Sequence, residues 1–533
     1  MKYCSLLLFS LLSFLLSAQK QPNIVWIVCE DMSPHLGSYG ENLAKTPNLD
    51  QLAKESVRYT NVFSTAGVCA PSRAALITGC YQTAIGAQNM RTMGPNPNYY
   101  NPKDFPEGHK PYSAVLPEGV IGFPEYLRKA GYYTSNNAKQ DYQFEAPVTI
   151  WNESSAKAHW RNRGDKSQPF FSVFNFEVTH ESQVWARNKQ PLLVDWHQVK
   201  VPSYYPQDSI AQKTMARFLS NVMVMDEQIG KIIAQLKEDG LYENTIVFFY
   251  SDHGDGMPFV KREVLQRGLR VPLLIKAPFL KAGTVDNQMI SFLDFGPSVL
   301  SLAGIKVPSV MHGNDFLGNQ KPKQKRKYAY AARDRMDSQI DRVRSVTDGR
   351  FTYIKNYFPK QASYQNIDFR LANPLMKHML ELKDAGKLNA VQMQWFHSPR
   401  NQEELYDFEN DPDEVNDLSK NTKYQQKLIE LRKQHEIWLK KYPDLGAIKE
   451  MDMVNQWWGG KKKAPETKMV EMKRFNGKVQ LSCATKSASI AYKKHDKDSW
   501  EVYVKPIDVA QGDSLYLFSQ RIGYEKNIQK VKL

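Results

Sequence analysis

The chain has 533 residues, a length that excludes a single hydrophobic core and predicts two or three domains. Its hydrophobic content of 42% and charged content of 24% are typical of a soluble globular protein. The formal net charge of +15 indicates an acidic partner: nucleic acid, an anionic membrane or an anionic polysaccharide. Nucleic acid is disfavoured because the sequence has no zinc-knuckle spacing, aromatic RNA-binding pattern or long basic arm.

The N-terminus has the pattern of a secretory signal peptide. A short basic start precedes an apolar run at 6–16, and small residues follow it. The run is too short for a membrane anchor, and no later stretch is long enough to cross a bilayer. We therefore expect a signal peptide at 1–18, cleaved after Ala18, and a periplasmic or extracellular protein with no membrane partner.

The first predicted strand ends in two carboxylates. Residues 23–29 form a continuous apolar run, which is typical of a strand buried on both faces of a parallel sheet. The run leads directly into Glu30 and Asp31. Because α/β proteins place their sites at the carboxyl ends of parallel strands, we interpret these two residues as metal ligands rather than as a plain turn.

Two helix starts follow. Thr46 and Pro47 open the first, with the threonine as the cap and the proline at the first helical position. The second begins at Cys69 and carries Arg73 one turn later. A helix N-terminus offers free N–H groups and a partial positive charge, which suits anion chemistry. On its own, this pattern fits either a reactive cysteine or a small buried thiol.

Together, the segments 24–31, 46–50 and 69–79 resemble the type I sulfatases of the alkaline-phosphatase superfamily. The resemblance implies an α/β fold in which an alkaline-phosphatase-like mixed sheet is sandwiched by helices. It also implies that a formylglycine-generating enzyme oxidises Cys69 to formylglycine, whose hydrate attacks sulfur. In that family the position of Arg73 orients the hydrate and neutralises charge.

Two further segments deliver polar residues from predicted elements. A helix at 123–131 and a short strand lead to Lys139 and Asp141, where sulfatases usually carry Lys-x-His. The resemblance implies that Lys139 binds sulfate, and we expect either Asp141 or another group to replace the histidine as a base. A buried strand at 170–176 precedes His180, which the resemblance implies as the general acid or a sulfate contact. Without the resemblance, Lys139 could equally be an exposed loop lysine.

A second apolar strand, at 245–251, repeats the design of the first, and a core helix at 218–236 precedes it. The strand delivers Asp252 and His253, which match the second half of the sulfatase metal site. Oxygen-rich ligands favour Ca²⁺ or Mg²⁺, and family habit favours one Ca²⁺. The implied metal set is Glu30, Asp31, Cys69, Asp252 and His253. Lys261 matches the second sulfate-binding lysine, the alternative being a solvated loop lysine.

The pattern changes near residue 325, which ends the predicted catalytic domain at 19–325. Short alternating strands and a helix at 424–440 predict an antiparallel-sheet subdomain at 326–445. The lysine-rich, weakly patterned segment 446–476 is predicted to be a linker. Short β-type runs at 477–533 resemble a small β-sandwich-like module, for which an accessory or packing role is expected.

The leading hypothesis is an exported sulfatase that acts on a sulfated oligosaccharide or polysaccharide, with an O-sulfate favoured. Alternatives are an N-sulfoglucosamine sulfamidase, a phosphonate or phosphodiester hydrolase of the same superfamily, and a glycan-binding relative without activity. Sparse histidine near the motifs argues against the phosphoryl-transfer alternative. The arginine and aspartate residues at 333–337 could contact a glycan or form only surface ion pairs. The candidate sugar contacts are Asn89, Arg91, His109, Arg333, Arg335 and Asp337.

Overall fold

The structure is a computed structural model that describes residues 21–93, 105–322 and 324–533. The predicted signal peptide at 1–18 lies outside these residues. Within the described ranges, no helix is both long enough and apolar enough to span a bilayer.

An eight-stranded sheet forms the centre of the catalytic part. Across the sheet the strand order is β4-β3-β5-β1-β6-β7-β2-β8, and of these eight only β7 is antiparallel to its neighbours. In chain order the strands are β1 (Asn23–Cys29), β2 (Val57–Phe63), β3 (Tyr133–Asn137), β4 (Glu153–Ser154), β5 (Phe170–Phe176), β6 (Thr245–Ser251), β7 (Leu273–Lys276) and β8 (Thr284–Ser291).

Helices cover both faces of this sheet, which confirms the predicted α/β sandwich. Alternate residues of β1 enter different cores: Trp26 packs into one and Val25 into the other. A strand buried on both faces needs this continuous apolar sequence. The helices of this part are α1 (Pro47–Lys54), α2 (Cys69–Thr78), α3 (Pro124–Lys129), α4 (Ser182–Ala186), α5 (Ser209–Glu238), α6 (Gln266–Leu269) and α7 (Phe295–Leu302).

The central strands determine where polar residues meet. β1 lies between β5 and β6 and pairs with both in parallel. Their carboxyl ends therefore lie side by side at one edge of the sheet. The sequence predicts the metal ligands and His180 among the residues that directly follow these three strands.

A second sheet follows the catalytic part. It is antiparallel in the order β12-β11-β10-β9, as the alternating pattern predicts, and α10 packs on it through Leu428 and Leu431. The elements are β9 (Ala329–Arg333), β10 (Val343–Thr347), β11 (Phe351–Asn356) and β12 (Glu403–Asp407), with helices α8 (Pro374–Asp384), α9 (Ala390–Met393) and α10 (Gln425–Lys441).

The segment predicted as a linker, 446–476, is structured, and that prediction is wrong. It forms the helix α11 (Glu450–Trp457) and the strand β13 (Val470–Phe475). Met453 and Val454 of the helix are buried in a cluster with Tyr112. The apolar stretch is only one to two turns long and precedes three consecutive lysines, so it gives little periodicity to detect in the sequence.

The last part of the chain is a small β-sandwich of a three-stranded and a four-stranded sheet. Leu481 of one sheet and Leu517 of the other share one hydrophobic core. After β13, the strands are β14 (Lys478–Cys483), β15 (Ser489–Lys493), β16 (Glu501–Val502), β17 (Ile507–Asp508), β18 (Ser514–Gln520) and β19 (Asn527–Lys532). We call residues 461–533 the terminal module.

The terminal module is docked against the catalytic part near α3. Ser489 Oγ donates a hydrogen bond to Glu125 Oε2 at 2.6 Å, and Arg128 Nη2 donates to the Trp500 carbonyl at 2.6 Å. Gly523 lies so close to Val115 that a Cβ on the glycine would be 2.4 Å from the Val115 Cα. The two parts are therefore in close backbone contact.

Candidate active site

Cys69 is the first residue of α2, as the sequence predicts, and its side chain is buried. The helix is fixed to the metal strand because Ser72 Oγ donates to the Asp252 carbonyl at 2.7 Å. Burial alone would raise the pKa of the Cys69 thiol, but the ammonium groups of Lys261 and Lys139 lower it to about 5. The local field therefore favours negative charge at this position.

The predicted metal ligands meet beside Cys69. One group of ligand atoms, all within 4.8 Å of one another, comes from Asp31, Cys69, Asp252 and His253; a second comes from Glu30, Asp31 and His180. Asp31 lies in the left-handed backbone region with a φ of 51°. This turn follows β1 directly and brings the carboxylate back toward β6.

The donor set fits a hard cation with oxygen ligands. Among the described residues, Glu30 Oε2, Asp31 Oδ1 and His253 Nε2 are buried and lack a well-aligned hydrogen bond, although Asp31 Oδ1 lies 3.0 Å from His253 Nε2. The His253 Nδ1 lies 2.8 Å from the Gly254 carbonyl oxygen, an arrangement that favours the tautomer in which Nδ1–H donates a hydrogen bond and Nε2 is available as a ligand atom. Burial lowers the pKa of His253, yet Asp252 and Asp31 raise it to about 10. These carboxylates thus stabilise positive charge at the site, whether a proton or a metal ion.

Three basic side chains surround the acids. Arg73 Nε donates to Asp252 Oδ2 at 3.0 Å, and its Nη2 donates to Glu30 Oε1 at 3.3 Å. Lys139 Nζ is 2.7 Å from Glu30 Oε1, and Lys261 Nζ is 2.5 Å from Asp31 Oδ2. Burial raises the pKa of Glu30 to about 7, although Lys139 and Arg73 act against the shift. Both lysines predicted from the motifs are therefore at the site.

Two residues of this network were not predicted. Glu181 Oε1 is 3.0 Å from Lys261 Nζ, and its carboxylate forms a double hydrogen bond with Arg262. Asn175 of β5 accepts a hydrogen bond from Arg73 Nη1 at 2.7 Å. Glu181 directly follows His180, which is the one sequence signal that points to it. Asn175 is hidden within an otherwise apolar strand.

His180 and Asp141 lie at the edge of the same site. His180 Nε2 is 4.0 Å from Glu30 Oε2, and its Nδ1 is 2.8 Å from Ser182 Oγ. Burial and Lys261 lower the pKa of His180, but Asp31 and Cys69 outweigh them and raise it. Asp141 Oδ2 is 3.9 Å from Lys139 Nζ, and about a third of its side chain is exposed. Its predicted role as a base remains a prediction.

Several predicted sugar contacts flank the thiol. Cys69 packs in one cluster with Met90 and Met336. Arg91 and Asp337 follow these two methionines in the sequence. They form an ion pair, in which Arg91 Nη1 is 3.1 Å from Asp337 Oδ1. Arg91 also lies over the ring of Phe369, 5.1 Å from its centroid.

The other predicted contacts line a cavity of about 390 Å³ beside this cluster: Asn89, His109 and Arg335. Arg335 is held by two hydrogen bonds to Glu450 of α11, at 2.5 and 2.8 Å. Burial and Arg335 lower the pKa of His109 to about 4, although Glu450 acts against the shift. Glu450 comes from the segment predicted as a linker, so its role at this cavity was missed.

Arg333 is not positioned to touch a sugar, and that prediction is wrong. Its side chain is 2% exposed, with Nη1 donating to Glu263 Oε2 and Nη2 to Asp341 Oδ2, both at 2.7 Å. A buried guanidinium that already pairs with two carboxylates stabilises strand β9 and is not available to bind a ligand. The charges at 333–337 do form ion pairs, but these are buried rather than on the surface.

Comparison with known proteins agrees with this geometry. The sulfatase family model matches residues 22–305, and a second model, N-sulphoglucosamine sulphohydrolase, C-terminal, matches residues 254–394. The chain is 41% identical over 552 aligned positions to an ulvan-active sulfatase of Formosa agariphila, covering 96% of this chain and 91% of that protein.

Solved structures share the fold. One, a complex with its substrate D-glucosamine-2-N,6-O-disulfate, aligns with a TM-score of 0.57 and 20% identity over 81% of this chain and 100% of that one. The phosphonate monoester hydrolase of Silicibacter pomeroyi aligns with a TM-score of 0.56 and 16% identity over 80% of this chain and 97% of that one. At such identities the likeness shows only the fold. The family match over half of the chain and the 41% identical relative show that this chain belongs to the sulfatase family and is a sulfuric ester hydrolase.

Proposed function

We propose that this enzyme hydrolyses sulfate esters of a sulfated polysaccharide or its oligosaccharides in the periplasm or outside the cell, with formylglycine at position 69 and one Ca²⁺. The observation that carries the proposal is the meeting of a buried Cys69 with four metal-type ligands and two lysines. The net charge of +15 suits an anionic polymer, and the 41% identical relative is described as ulvan-active.

Glu30, Asp31, Asp252 and His253 would hold the metal ion. Their three carboxylates and one imidazole match a hard cation, and Asp31 belongs to both groups of closely spaced ligand atoms. When bound, such an ion polarises a sulfate oxygen and stabilises the negative charge that develops on it.

Formylglycine supplies a hydrated aldehyde whose oxygen is a nucleophile toward sulfur. The cationic side chains of the protein supply the remaining electrostatic stabilisation of the sulfate group. Lys139 pairs with Glu30 and Lys261 with Asp31, and each lysine lowers the pKa of Cys69. They would bind the sulfate oxygens, while Arg73 keeps the acids oriented through its hydrogen bonds to Asp252 and Glu30.

Proton transfer falls to His180 and Asp141 in this proposal. Despite burial, Asp31 and Cys69 raise the pKa of His180, which favours its protonated form, so His180 would protonate the sugar oxygen as the S–O bond breaks. Asp141, partly exposed beside Lys139, would accept the proton that must leave when sulfate is released and the aldehyde re-forms.

A sulfamidase is the second candidate, because residues 254–394 match the C-terminal model of N-sulphoglucosamine sulphohydrolase. It differs from the first in the bond cleaved, S–N rather than S–O. The same site residues would act, so only the substrate separates the two.

Sulfate release tests the proposal. Purified enzyme with Ca²⁺ is incubated with ulvan oligosaccharides, N-sulfoglucosamine and a phosphonate monoester, and released sulfate or alcohol is quantified. We expect sulfate from the oligosaccharides, and an intact mass about 18 Da below that of the unmodified mature chain. The Cys69→Ala variant should bind Ca²⁺ yet release no sulfate.

Each other outcome has a definite meaning. Sulfate from N-sulfoglucosamine alone would establish the sulfamidase. Phosphonate cleavage without sulfate release, or full activity in Cys69→Ala, would overturn the proposal.

A further inference from the structure

One face of the terminal module carries a row of lysines, of which Lys530 and Lys532 are exposed, whereas the side chain of Lys493 is 12% exposed. The four-stranded sheet buries Leu515 and Leu517 of β18 against the other sheet, so the alternate residues of β18 face outward. At one end of this outward face, Phe518 is buried and Gln520 bonds Glu145 of the catalytic part. At the other end the face is open. There lie the residues that we call the basic strip: Lys493, Tyr516, Lys530 and Lys532.

Strand register places three residues of the basic strip in one line across the sheet. Lys493 of β15 is paired with Tyr516 of β18, and Tyr516 is paired with Lys530 of β19. The two ammonium groups lie 5.2 and 5.1 Å from the Tyr516 ring centroid. Lys532 lies two residues further along β19, on the same face of the sheet as Lys530. Neighbouring strands are about 4.8 Å apart, so the outer charges of the row are separated by two strand spacings.

The local charge balance is positive. Residues 461–533 contain 16 Lys and Arg against 8 Asp and Glu, so the terminal module carries +8 of the net +15. Among the described residues, Lys530 and Lys532 form no side-chain ion pair, and no outward position of β15, β18 or β19 is acidic. Lys493 has one acidic neighbour, the exposed Asp496 at 3.5 Å. Lys493 Nζ also donates to the Asp496 carbonyl, so the N–H donors available to a ligand are chiefly those of Lys530 and Lys532.

We propose that the basic strip is a second binding surface, separate from the active site, for the anionic polysaccharide chain. This inference rests on the proposed function in one respect: the polysaccharide that binds the strip is assumed to be the substrate of the enzyme. Tyr516 restrains the flanking lysines through cation–π contacts, so less side-chain freedom is lost when an anion binds. A polymer held at the strip and the active site at once gains effective concentration, whereas a short oligosaccharide reaches only one of them.

The test compares two variants of equal charge. In the strip variant, Lys493, Lys530 and Lys532 are changed to Gln; in the control variant, the exposed Lys461, Lys473 and Lys505 are changed to Gln. Migration of the full-length protein is measured in native gels that contain ulvan or neutral dextran, at several salt concentrations. Thermal melting verifies that both variants are folded.

We expect ulvan to retard the wild type and the control variant strongly. The strip variant should bind about tenfold more weakly, while its sulfate release from short ulvan oligosaccharides stays unchanged. Equal retardation of both variants would overturn the inference, as would retardation of all proteins by dextran. If the wild type released no sulfate from oligosaccharides, that result would count against the proposed function. The gel comparison would still test whether the basic strip binds the polymer.

Discussion

Arg73 is the residue that joins the separate parts of the site. It bonds Asp252 after β6, Glu30 after β1 and Asn175 within β5, so one guanidinium links the three central strands. Its planar fork of five donors serves three partners at once, which a lysine ammonium cannot do with the same geometry.

The Arg73→Lys variant should therefore lose about 10²- to 10³-fold in kcat for sulfate release, because an ammonium keeps the charge but cannot hold Asp252, Glu30 and Asn175 together. Steady-state kinetics on ulvan oligosaccharides measure this. The matched control is Arg163→Lys, a buried arginine that bonds only carbonyl oxygens away from the site. Equal kcat values for the two variants would contradict the role given to Arg73.

Among individual residues, the sequence predicts those that lie at the end of a clearly patterned strand or at the start of a clearly patterned helix. Glu30 and Asp252 end apolar strands, and Cys69 opens a helix, so their meeting follows from parallel-strand topology. Glu181 and Glu450 follow no pattern, since their partners Lys261 and Arg335 are distant in the chain. Arg333 was misplaced because sequence does not reveal which charges are already paired within the protein.

Among the elements, α10 carries a buried histidine against the second sheet. His435 is 6% exposed, and its Nε2 is 3.2 Å from Tyr357 Oη. Burial lowers its pKa to about 4, and Arg344 and Lys355 add to the shift. This histidine is therefore neutral in the folded protein over a pH range in which the unfolded chain takes up a proton.

The sign of the pH effect follows. The folded pKa of about 4 lies below the ordinary value of 6.5, so stability is unaffected above pH 6.5 and falls as the pH drops from 6.5 toward 4. His435→Gln should lose less than the wild type between pH 7 and 4.5, by about 2 kcal/mol in the free energy of unfolding from urea titrations. The exposed His495→Gln should follow the wild type, and identical curves for all three proteins would refute the assignment.

The strands β1, β5 and β6 were predictable because they are long apolar runs, and those of the second sheet because they alternate; the two-residue β4 leaves no such pattern. The helix α11 was not, because its buried residues are few and its stability depends on Tyr112 and on the Glu450–Arg335 pair. Tertiary contacts of this kind leave no trace in local periodicity.

For the whole molecule, the docking of the terminal module depends on close backbone contact at Gly523. Its φ is +89°, and a Cβ there would lie 2.6 Å from the Ala114 carbonyl oxygen. Gly512 provides a matched comparison, since its φ is +92° and nothing lies within 4 Å of a Cβ. The two glycines differ in the close approach but not in backbone conformation.

Gly523→Ala should therefore lower the melting temperature by several degrees more than Gly512→Ala, and should speed proteolytic release of the terminal module. Thermal scans and limited trypsin digestion measure the two effects. If both variants melt and digest alike, the docking contact is not a determinant of stability. Sequence alone shows a small β module but not its partner surface, because the contact involves backbone atoms and no side-chain pattern.

The burial of Cys69 bears on the order of events during synthesis. The thiol is 2% exposed, and the cluster that covers it includes Met336 and Ile367, which are synthesised more than 260 residues after Cys69. A modifying enzyme can reach Cys69 only before those later segments pack over it. The proposed conversion thus belongs to the nascent or still unfolded chain, and a cell that folds this protein too early would accumulate a stable, inactive form.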